Sequence, residues 1–516
     1  MDLIKQKETL THEIFKTFTQ VYTEVDTIVP DIKPDIARIL QADANAYITS
    51  RTISGDKLVF EGQAAITLLY QAENGSVRSI ITHHPFKHSI VAPTNSENAL
   101  IDSELCVQNV ESVLVNSRKF CGKILMGLEV RLIAAEELEF TTEIEGENAH
   151  HFQTNTKKIS ANYRRTVAEQ DLFVRDVLEV PAGKSSIGEV LRMDVTINAH
   201  ENKVAGNKVL VKGDVHVHTL YLAERDDSVH SMEHQIPFSE IVSINEEASD
   251  SHECAINYHV LSTAWNLQQD ADGDQRLLGA DINLRAILRM EQNISLDVLD
   301  DVYSTRNDLE VTHNTVSLSR AIAKASGNVT ANDLVPHSDD FADISEIYNV
   351  IARPKIASAK IEGSKIVLEG IVANEILCLS ANPETPVFNL YKETKFVQTF
   401  ETGNASLTES MACDVKATLA HTSYSLNMAG EVELRSIVDI ETQILTNHDY
   451  KYVTEITEKE DKENTSEAKP YCLRVYYVKN GDTVWSIAKK YKIKVDDFVA
   501  RNGEELSVGQ RLILQG

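Results

Sequence analysis

The sequence predicts a mainly β protein: three tandem, sandwich-like β-rich domains with short helices, followed by a small βααβ domain. Two observations support this prediction. A pattern of eight residues recurs three times at nearly equal spacing, which indicates a repeated domain. Residues 475–514 follow a different pattern, in which strand-like stretches enclose two short helix-like ones. A chain of 516 residues is also too long for one ordinary domain.

The composition is that of a protein with packed globular domains. Hydrophobic residues make up 42% of the chain and charged residues 25%, which is typical of soluble proteins. The formal net charge of −28 argues against generic binding to nucleic acid or anionic membranes. No stretch is apolar enough to span a membrane, and residues 1–8 lack the apolar core of a signal peptide. We therefore expect a cytoplasmic protein.

The repeated octet has the pattern of a β-hairpin. Each copy begins with glycine and Asp, Asn or Ser, continues with lysine, three apolar residues and one charged residue, and ends with glycine. The copies lie 151 and 157 residues apart, at residues 55–62, 206–213 and 363–370. A Val-Pro pair precedes each octet and a strand led by glycine follows it, so the whole unit is repeated and not the octet alone.

These landmarks divide the chain into three homologous β-domains, predicted at residues 1–150, 151–305 and 306–450. Apolar residues with helical spacing predict a short helix near the start of each domain. The three helices are predicted at residues 10–22, near 159–167 and at 317–325. We expect each helix to pack against its own β-domain, and a partner-binding role for residues 10–22 is the alternative.

The composition changes after the third repeat. Residues 455–469 include six acidic residues, and almost none is apolar after Ile456. Such a stretch buries too little surface to offset the entropy of ordering it. We therefore predict an acidic flexible linker at 451–470 and a separate domain at 471–516.

The C-terminal domain alternates strand and helix signals. Residues 475–479 are strand-like, residues 480–483 form a turn, and apolar residues at 484, 487, 488 and 491 share one helical face. A second short apolar face ends at Asn502-Gly503, and residues 510–514 supply a closing strand. Residues 475–514 carry seven basic and five acidic residues, in contrast to the strongly acidic remainder of the chain.

This segment resembles the LysM family. Its opening motif is Tyr-Val-Lys-Asn-Gly-Asp-Thr-Val-Trp-Ser-Ile-Ala-Lys-Lys-Tyr at 477–491, and its closing motif is Val-Gly-Gln-Arg-Leu at 508–512. The resemblance implies that two loops form a shallow groove for N-acetylglucosamine polymers such as peptidoglycan. The groove residues it implies are Gly481, Asp482, Thr483, Asn502 and Gly503, with Trp485 near the rim. Plain hydrophobic packing is the alternative for Trp485. The stretch from 502 to 509 is shorter than in many members, and Val508 stands where proline is common.

The complete layout resembles the SipL-type family of spore coat morphogenetic proteins, in which SPOCS repeats precede a C-terminal LysM domain. The resemblance implies a non-enzymatic scaffold in the mother cell, recruited from the cytoplasm to the forespore surface and spore coat. It also implies docking of the LysM domain onto the coat basement-layer ATPase (SpoIVA), with other coat proteins as further partners. Binding of peptidoglycan in the cell wall or spore cortex is the alternative function.

No residue pattern predicts catalysis, a metal or a cofactor. Neither a Gly-x-Ser-x-Gly nor a His-Glu-x-x-His motif occurs. The acidic run at 270–274 lacks the glycine and glutamate of a calcium loop, so it predicts a polar turn. His216 and His218 share a strand face, but the other repeats have no metal-binding residue pair at these positions. The six cysteines form no Cys-x-x-Cys pair and are expected as free thiols.

Overall fold

The computed structural model describes most of the chain. The described residues are 2–93, 99–146, 149–248, 252–336, 343–380, 382, 384–403, 407–408, 411, 413–459 and 473–515. Strands account for 79% of the chain and helices for 4%, which confirms the predicted mainly β class. Among the described residues, no helix is both long and apolar enough to cross a membrane.

The first domain is a sandwich of two antiparallel, three-stranded sheets. Its strands are β1 (Asp2–Ile28), β2 (Ile36–Ser54), β3 (Lys57–Ala72), β4 (Val77–Val91), β5 (Leu100–Asn116) and β6 (Lys119–Glu145). The sheets have the orders β1-β6-β5 and β2-β3-β4. Phe60 of β3 and Phe120 of β6 are fully buried in one core between the sheets. Alternating side chains therefore build the core that sequence periodicity predicts.

The second and third domains repeat this plan. A short 3₁₀ turn (Ala149–His151) leads into β7 (Phe152–Glu179), β8 (Ile187–Ala223), β9 (Val229–Ala248), β10 (His252–Gln268) and β11 (Leu277–Ser304), in sheets β10-β11-β7 and β8-β9. The third domain comprises β12 (Leu309–Val335), β13 (Ile344–Glu362), β14 (Lys365–Ser380), β15 (Val387–Glu401), β16 (Cys413–Leu426) and β17 (Val432–Glu458), in sheets β12-β17-β16 and β13-β14-β15. The continuous strand β8 covers the span of both β2 and β3 and contains the second octet.

The two glycines of each octet have different structural roles. The first glycine adopts a positive φ of about 60°, a backbone conformation that favours glycine. It lies in a turn between two strands in the first and third octets, and within β8 in the second. These glycines are Gly55, Gly206 and Gly363. The last glycine lies against a phenylalanine ring and a neighbouring backbone carbonyl, which leave no space for a side chain. These pairs are Gly62 with Phe86, Gly213 with Phe238 and Gly370 with Phe396.

The three predicted helices are wrong, because each segment is a strand. Residues 10–22 lie in β1, residues 159–167 in β7 and residues 317–325 in β12, and each strand pairs antiparallel with the last strand of its own domain. Each segment contains a shift of strand register, near residues 14, 163 and 322 respectively. A bulge moves the following side chains to the opposite face and breaks the alternation of period two. The apolar spacing therefore mimics that of a helix.

The predicted linker also begins later than expected. Strand β17 continues to Glu458, and Tyr452, Val453 and Ile456 within it are buried. The prediction of a flexible linker is therefore wrong for residues 451–458, because these side chains pack with the other domains. Residues 460–472, which carry most of the predicted linker, lie outside the described residues.

The three β-domains are joined by shared hydrophobic cores. One lies between the long first and last strands and takes buried side chains from all three domains, namely Leu10, Phe140, Ile159, Val298, Leu318, Tyr450 and Tyr452. Another lies between the remaining sheets and includes Leu40, Leu191 and Tyr348, which occupy equivalent repeat positions. The adjacent Arg192 is buried and donates to Gln41 and Asp43 of the first domain. We call strands β1–β17 together the β-body, since their domains are joined by common cores.

The C-terminal domain has the predicted βααβ order. Its elements are β18 (Leu473–Tyr477), α1 (Val484–Tyr491), α2 (Val495–Asn502) and β19 (Arg511–Gln515), and the two strands pair antiparallel. A separate core contains Val478, Ile487, Phe498, Leu512 and Leu514. This domain therefore has its own hydrophobic centre, distinct from the cores of the β-body.

Candidate functional site

The loop between β18 and α1 is held by Asp482. Its carboxylate accepts hydrogen bonds from the Lys479 backbone N–H and the Tyr476 hydroxyl, each at 2.7 Å. The Lys479 bond is the main reason that the pKa of Asp482 lies below its usual range. Gly481 takes a φ of +90° in this turn. The Gly-Asp pair of the motif therefore shapes the loop, with the Asp482 carboxylate directed inward at these two donors.

Thr483 caps helix α1. Its hydroxyl accepts from the Ser486 backbone N–H at 3.1 Å, and the Ser486 hydroxyl accepts from the Thr483 N–H at 2.9 Å. This reciprocal arrangement is a capping box, which satisfies two backbone donors that the helix leaves unpaired. The sequence offers both Asp482 and Thr483 as caps for this helix, and Thr483 is the one that caps it.

Asn502 and Gly503 form the second predicted loop at the end of α2. The Asn502 side chain accepts from the Ile513 N–H at 2.8 Å and donates to the Ile513 and Phe498 carbonyls. Gly503 has a φ of +86° and donates to the Val499 carbonyl. The asparagine therefore ties the end of α2 to β19.

Gln510 links the end of α2 to Val478, the residue that follows β18. Its backbone carbonyl accepts from the Val478 N–H at 3.0 Å, and its side chain donates to the Asn502 carbonyl at 3.4 Å. Gly481, Thr483 and Gly503 are exposed, and Val508 is 71% exposed. The structure therefore places Gly481, Asp482 and Thr483 between β18 and α1, and Asn502 and Gly503 at the end of α2.

Trp485, the sixth predicted residue, contacts the β-body. Its indole N–H donates to Asp301 of β11 at 2.8 Å, and its ring meets the Tyr303 ring edge-on at 5.0 Å between centroids. Lys489 donates to both oxygens of the same carboxylate, at 2.6 and 2.7 Å. Burial alone raises the pKa of Asp301, but the bonds from Lys489 and Trp485 outweigh it and hold the pKa below its ordinary value.

Further contacts extend this interface along both helices of the C-terminal domain. The Tyr303 hydroxyl donates to the Ile493 carbonyl, and the Val495 N–H donates to the Gln153 side chain at 3.0 Å. Lys492 pairs with Asp308 at 2.8 Å. Sequence reasoning missed Asp301 and Tyr303 because no motif marks them. The only signal was the contrast between a basic C-terminal domain and an acidic remainder.

The residues considered for calcium binding, metal binding or thiol chemistry have ordinary structural roles. The Asp270 carboxylate accepts from the backbone N–H groups of Asp272 and Asp274 at 3.0 Å, which makes the predicted polar turn. His218 lies 3.4 Å from Glu233. No group of three or more metal-ligating side chains occurs within the part of the chain that the structure describes. The five cysteines in that part are free thiols.

Comparison with family models identifies both parts of the chain. Residues 35–115, 186–265 and 343–427 match the SipL family model of the SPOCS domain, and residues 476–515 match the LysM domain model. The chain therefore contains three SPOCS segments and a C-terminal LysM domain, which is the layout expected of a SipL-type protein. No curated protein and no solved structure matches this chain. SPOCS and LysM are both non-catalytic domain families, and together they indicate a sporulation-related role.

The SPOCS matches cover only part of each β-domain. They run from β2 to β5, from β8 to β10 and from β13 to β16. The long first and last strands of each domain therefore lie outside the matches. These same strands form one of the shared cores, and β11 among them supplies Asp301 and Tyr303 to the LysM domain.

Proposed function

We propose that this protein is a non-enzymatic scaffold for assembly of the endospore coat and envelope. In this proposal the protein acts in the cytoplasm of the mother cell and is recruited to the forespore surface. Its LysM domain docks onto the coat basement-layer ATPase (SpoIVA), while the SPOCS domains bind other coat proteins. The observation that carries the proposal concerns the face of the LysM domain formed by Trp485 and Lys489, called here the Trp485 face. This face already contacts a protein surface, that of the β-body.

The chemistry of that face suits a protein partner. Trp485 combines a large apolar ring with one N–H donor, and Lys489 adds a charge beside it. Interface energy concentrates in such aromatic anchors, particularly where neighbouring contacts exclude water. The acceptor used here is a carboxylate, which proteins present on Asp and Glu.

The β-body suits a scaffold because its three SPOCS domains are joined by common cores. Domains held in a fixed relation present several binding surfaces at a defined spacing. Binding of one partner through the LysM domain then raises the effective concentration of that partner around the proteins bound to the SPOCS domains.

Binding of peptidoglycan by the LysM domain is the second candidate function. It is favoured by the exposure of Gly481, Thr483 and Gly503 in the two segments that the LysM resemblance assigns to the groove. In this case Trp485 lies outside the binding groove, because its contacts are with the β-body. The two candidates therefore differ in which face of the LysM domain they use.

The test compares full-length protein with the Trp485→Ala variant in binding to purified SpoIVA and to peptidoglycan fragments. We expect saturable binding to SpoIVA that the substitution weakens by about tenfold or more, as for an aromatic anchor. Peptidoglycan binding, if it occurs at the loops, should be unaffected.

The matched control is Tyr477→Ala, which removes another aromatic side chain of the LysM domain that is 61% exposed. Equal affinity of the Trp485→Ala variant and the wild type for SpoIVA would contradict the docking role. Binding to peptidoglycan alone would favour the second candidate function.

A further inference from the structure

The Trp485 face of the LysM domain is covered by the chain itself. The covering residues are Asp301 and Tyr303, which lie near the end of β11 and outside the region matched by the SPOCS family. The contact is part of neither the SPOCS sandwich nor the LysM core. It is thus an interaction surface between two separately built parts of one molecule.

Asp301 is the centre of this contact. Its side chain is 19% exposed and accepts bonds from the Trp485 indole and the Lys489 ammonium, while the Val302 N–H donates to one of its oxygens at 2.9 Å. Bonds between charged partners at such distances are stronger than those between neutral groups. Removal of this carboxylate leaves the Trp485 and Lys489 donors without these acceptors.

Tyr303 adds the apolar half of the contact. Its ring meets the Trp485 ring at 65°, the edge-on geometry that aromatic pairs favour. Its hydroxyl donates to the backbone of the LysM domain at Ile493, and burial raises its pKa. Asp301 and Tyr303 are two residues apart on a strand, so they project to the same side. They therefore present a carboxylate and an aromatic ring as one unit.

We propose that the face of the LysM domain formed by Trp485 and Lys489 docks protein segments that present a carboxylate two residues from an aromatic ring. Asp301 and Tyr303 occupy that face within the same chain, and an external partner has to displace them. The proposal rests on the proposed function in that the LysM domain docks a protein. It adds the chemistry of the partner segment. It also adds a closed state, in which Asp301 and Tyr303 cover Trp485 and so lower the apparent affinity of the LysM domain for that partner.

The closed state is tested first, without any partner. The chain has only two tryptophans, so Trp265→Phe leaves Trp485 as the single indole reporter in the full-length protein. In this background we expect Asp301→Asn to increase acrylamide quenching of Trp485 and to shift its emission to longer wavelength. Asparagine retains the shape of the side chain and an oxygen for the Val302 N–H, but it removes the charge.

The matched control is Asp297→Asn. Asp297 is an exposed acid on the same strand, four residues before Asp301. A second variant, Lys489→Gln, opens the same contact from the LysM side. The double variant Asp301→Asn with Lys489→Gln should add little to either single change, because both remove one interaction. Equal protection of Trp485 in the Asp301, Lys489 and Asp297 variants would overturn the closed state.

The partner is tested with SpoIVA and full-length protein in the wild-type tryptophan background. If Asp301 competes for the docking face, Asp301→Asn should bind SpoIVA at least about fivefold more tightly than Asp297→Asn. Tighter binding that Trp485→Ala abolishes supports the inference. If Asp301→Asn exposes Trp485 but leaves the affinity for SpoIVA unchanged, Asp301 and SpoIVA do not share a docking face. That result overturns the inference even where SpoIVA binds to another surface of the protein. Absence of SpoIVA binding in every variant contradicts the proposed function instead, and with it the partner half of this inference.

Discussion

The last glycine of each octet shows how one residue constrains a sheet. A side chain at Gly62 would place its Cβ 2.3 Å from the Phe86 ring and 2.4 Å from the Tyr47 carbonyl. Real Cβ atoms do not approach other atoms so closely, so the phenylalanine and the neighbouring strand depend on glycine there. Gly55 differs, because no atom lies within 4 Å of its Cβ position and only its φ of +61° favours glycine.

We expect Gly62→Ala to destabilise the protein more than Gly55→Ala. The first substitution overpacks a buried contact, at a cost of about 1–3 kcal/mol or more. The second places a Cβ in the left-handed region, at a cost of about 1 kcal/mol. Urea unfolding followed by circular dichroism measures both. Equal losses in the two variants would show that the close approach to Phe86 is not the constraint.

At the scale of elements, β1, β7 and β12 show the limit of periodicity. Their apolar spacing indicates helices, yet each pairs over its full length with β6, β11 or β17. Pairing over some 26 residues satisfies the backbone of the whole strand, and a bulge costs only a local disruption of the ladder. Tertiary pairing therefore prevails over the local pattern. Helix α1 differs, because its capping box and apolar face are both local.

We expect Thr483→Ala to destabilise the LysM domain by about 1 kcal/mol, because α1 loses its N-terminal cap. In the Trp265→Phe background, urea unfolding followed by Trp485 fluorescence reports on this domain. The matched control is Ser507→Ala, a hydroxyl deletion in the loop before β19. Similar midpoints for the two variants would show that the cap contributes nothing measurable.

At the scale of the whole molecule, the shared cores make the β-body one structural unit. Leu191 is fully buried beside Leu220 of its own domain, Leu69 of the first and Tyr348 of the third. Contacts of this kind couple the unfolding of the domains, since none can open without exposing apolar surface of the others. The LysM domain is separate in this respect, because Leu512 packs within its own core.

We expect Leu191→Ala to lower the free energy of unfolding of all three SPOCS domains together, by about 2–5 kcal/mol. Hydrogen exchange followed by mass spectrometry resolves the domains. The comparison is Leu512→Ala, an equally buried leucine whose loss should affect the LysM domain and leave the β-body protected. Increased exchange in the second SPOCS domain alone would show that the three domains unfold independently.

Several features could be predicted from short stretches of sequence. The octets identified three repeats, the alternation of apolar residues indicated sandwiches, and the motif around Gly481–Tyr491 identified the LysM domain. These signals are local, since turn conformation, strand alternation and helix capping each depend on residues within a few positions of one another. The assignment of the two LysM loops as a binding groove stays a prediction.

Other features depend on contacts between residues far apart in the chain. Strand β1 exists because it pairs with β6, with Leu10 opposite Glu136. Trp485 meets Asp301 from 184 positions away, and Leu191 packs between domains on either side of its own. No local pattern encodes such pairings, because each depends on how complete sheets pack and on which surfaces remain exposed afterwards. The sequence alone therefore identified the domains and their order, whereas only the tertiary structure decided how they join and which face of the LysM domain is covered.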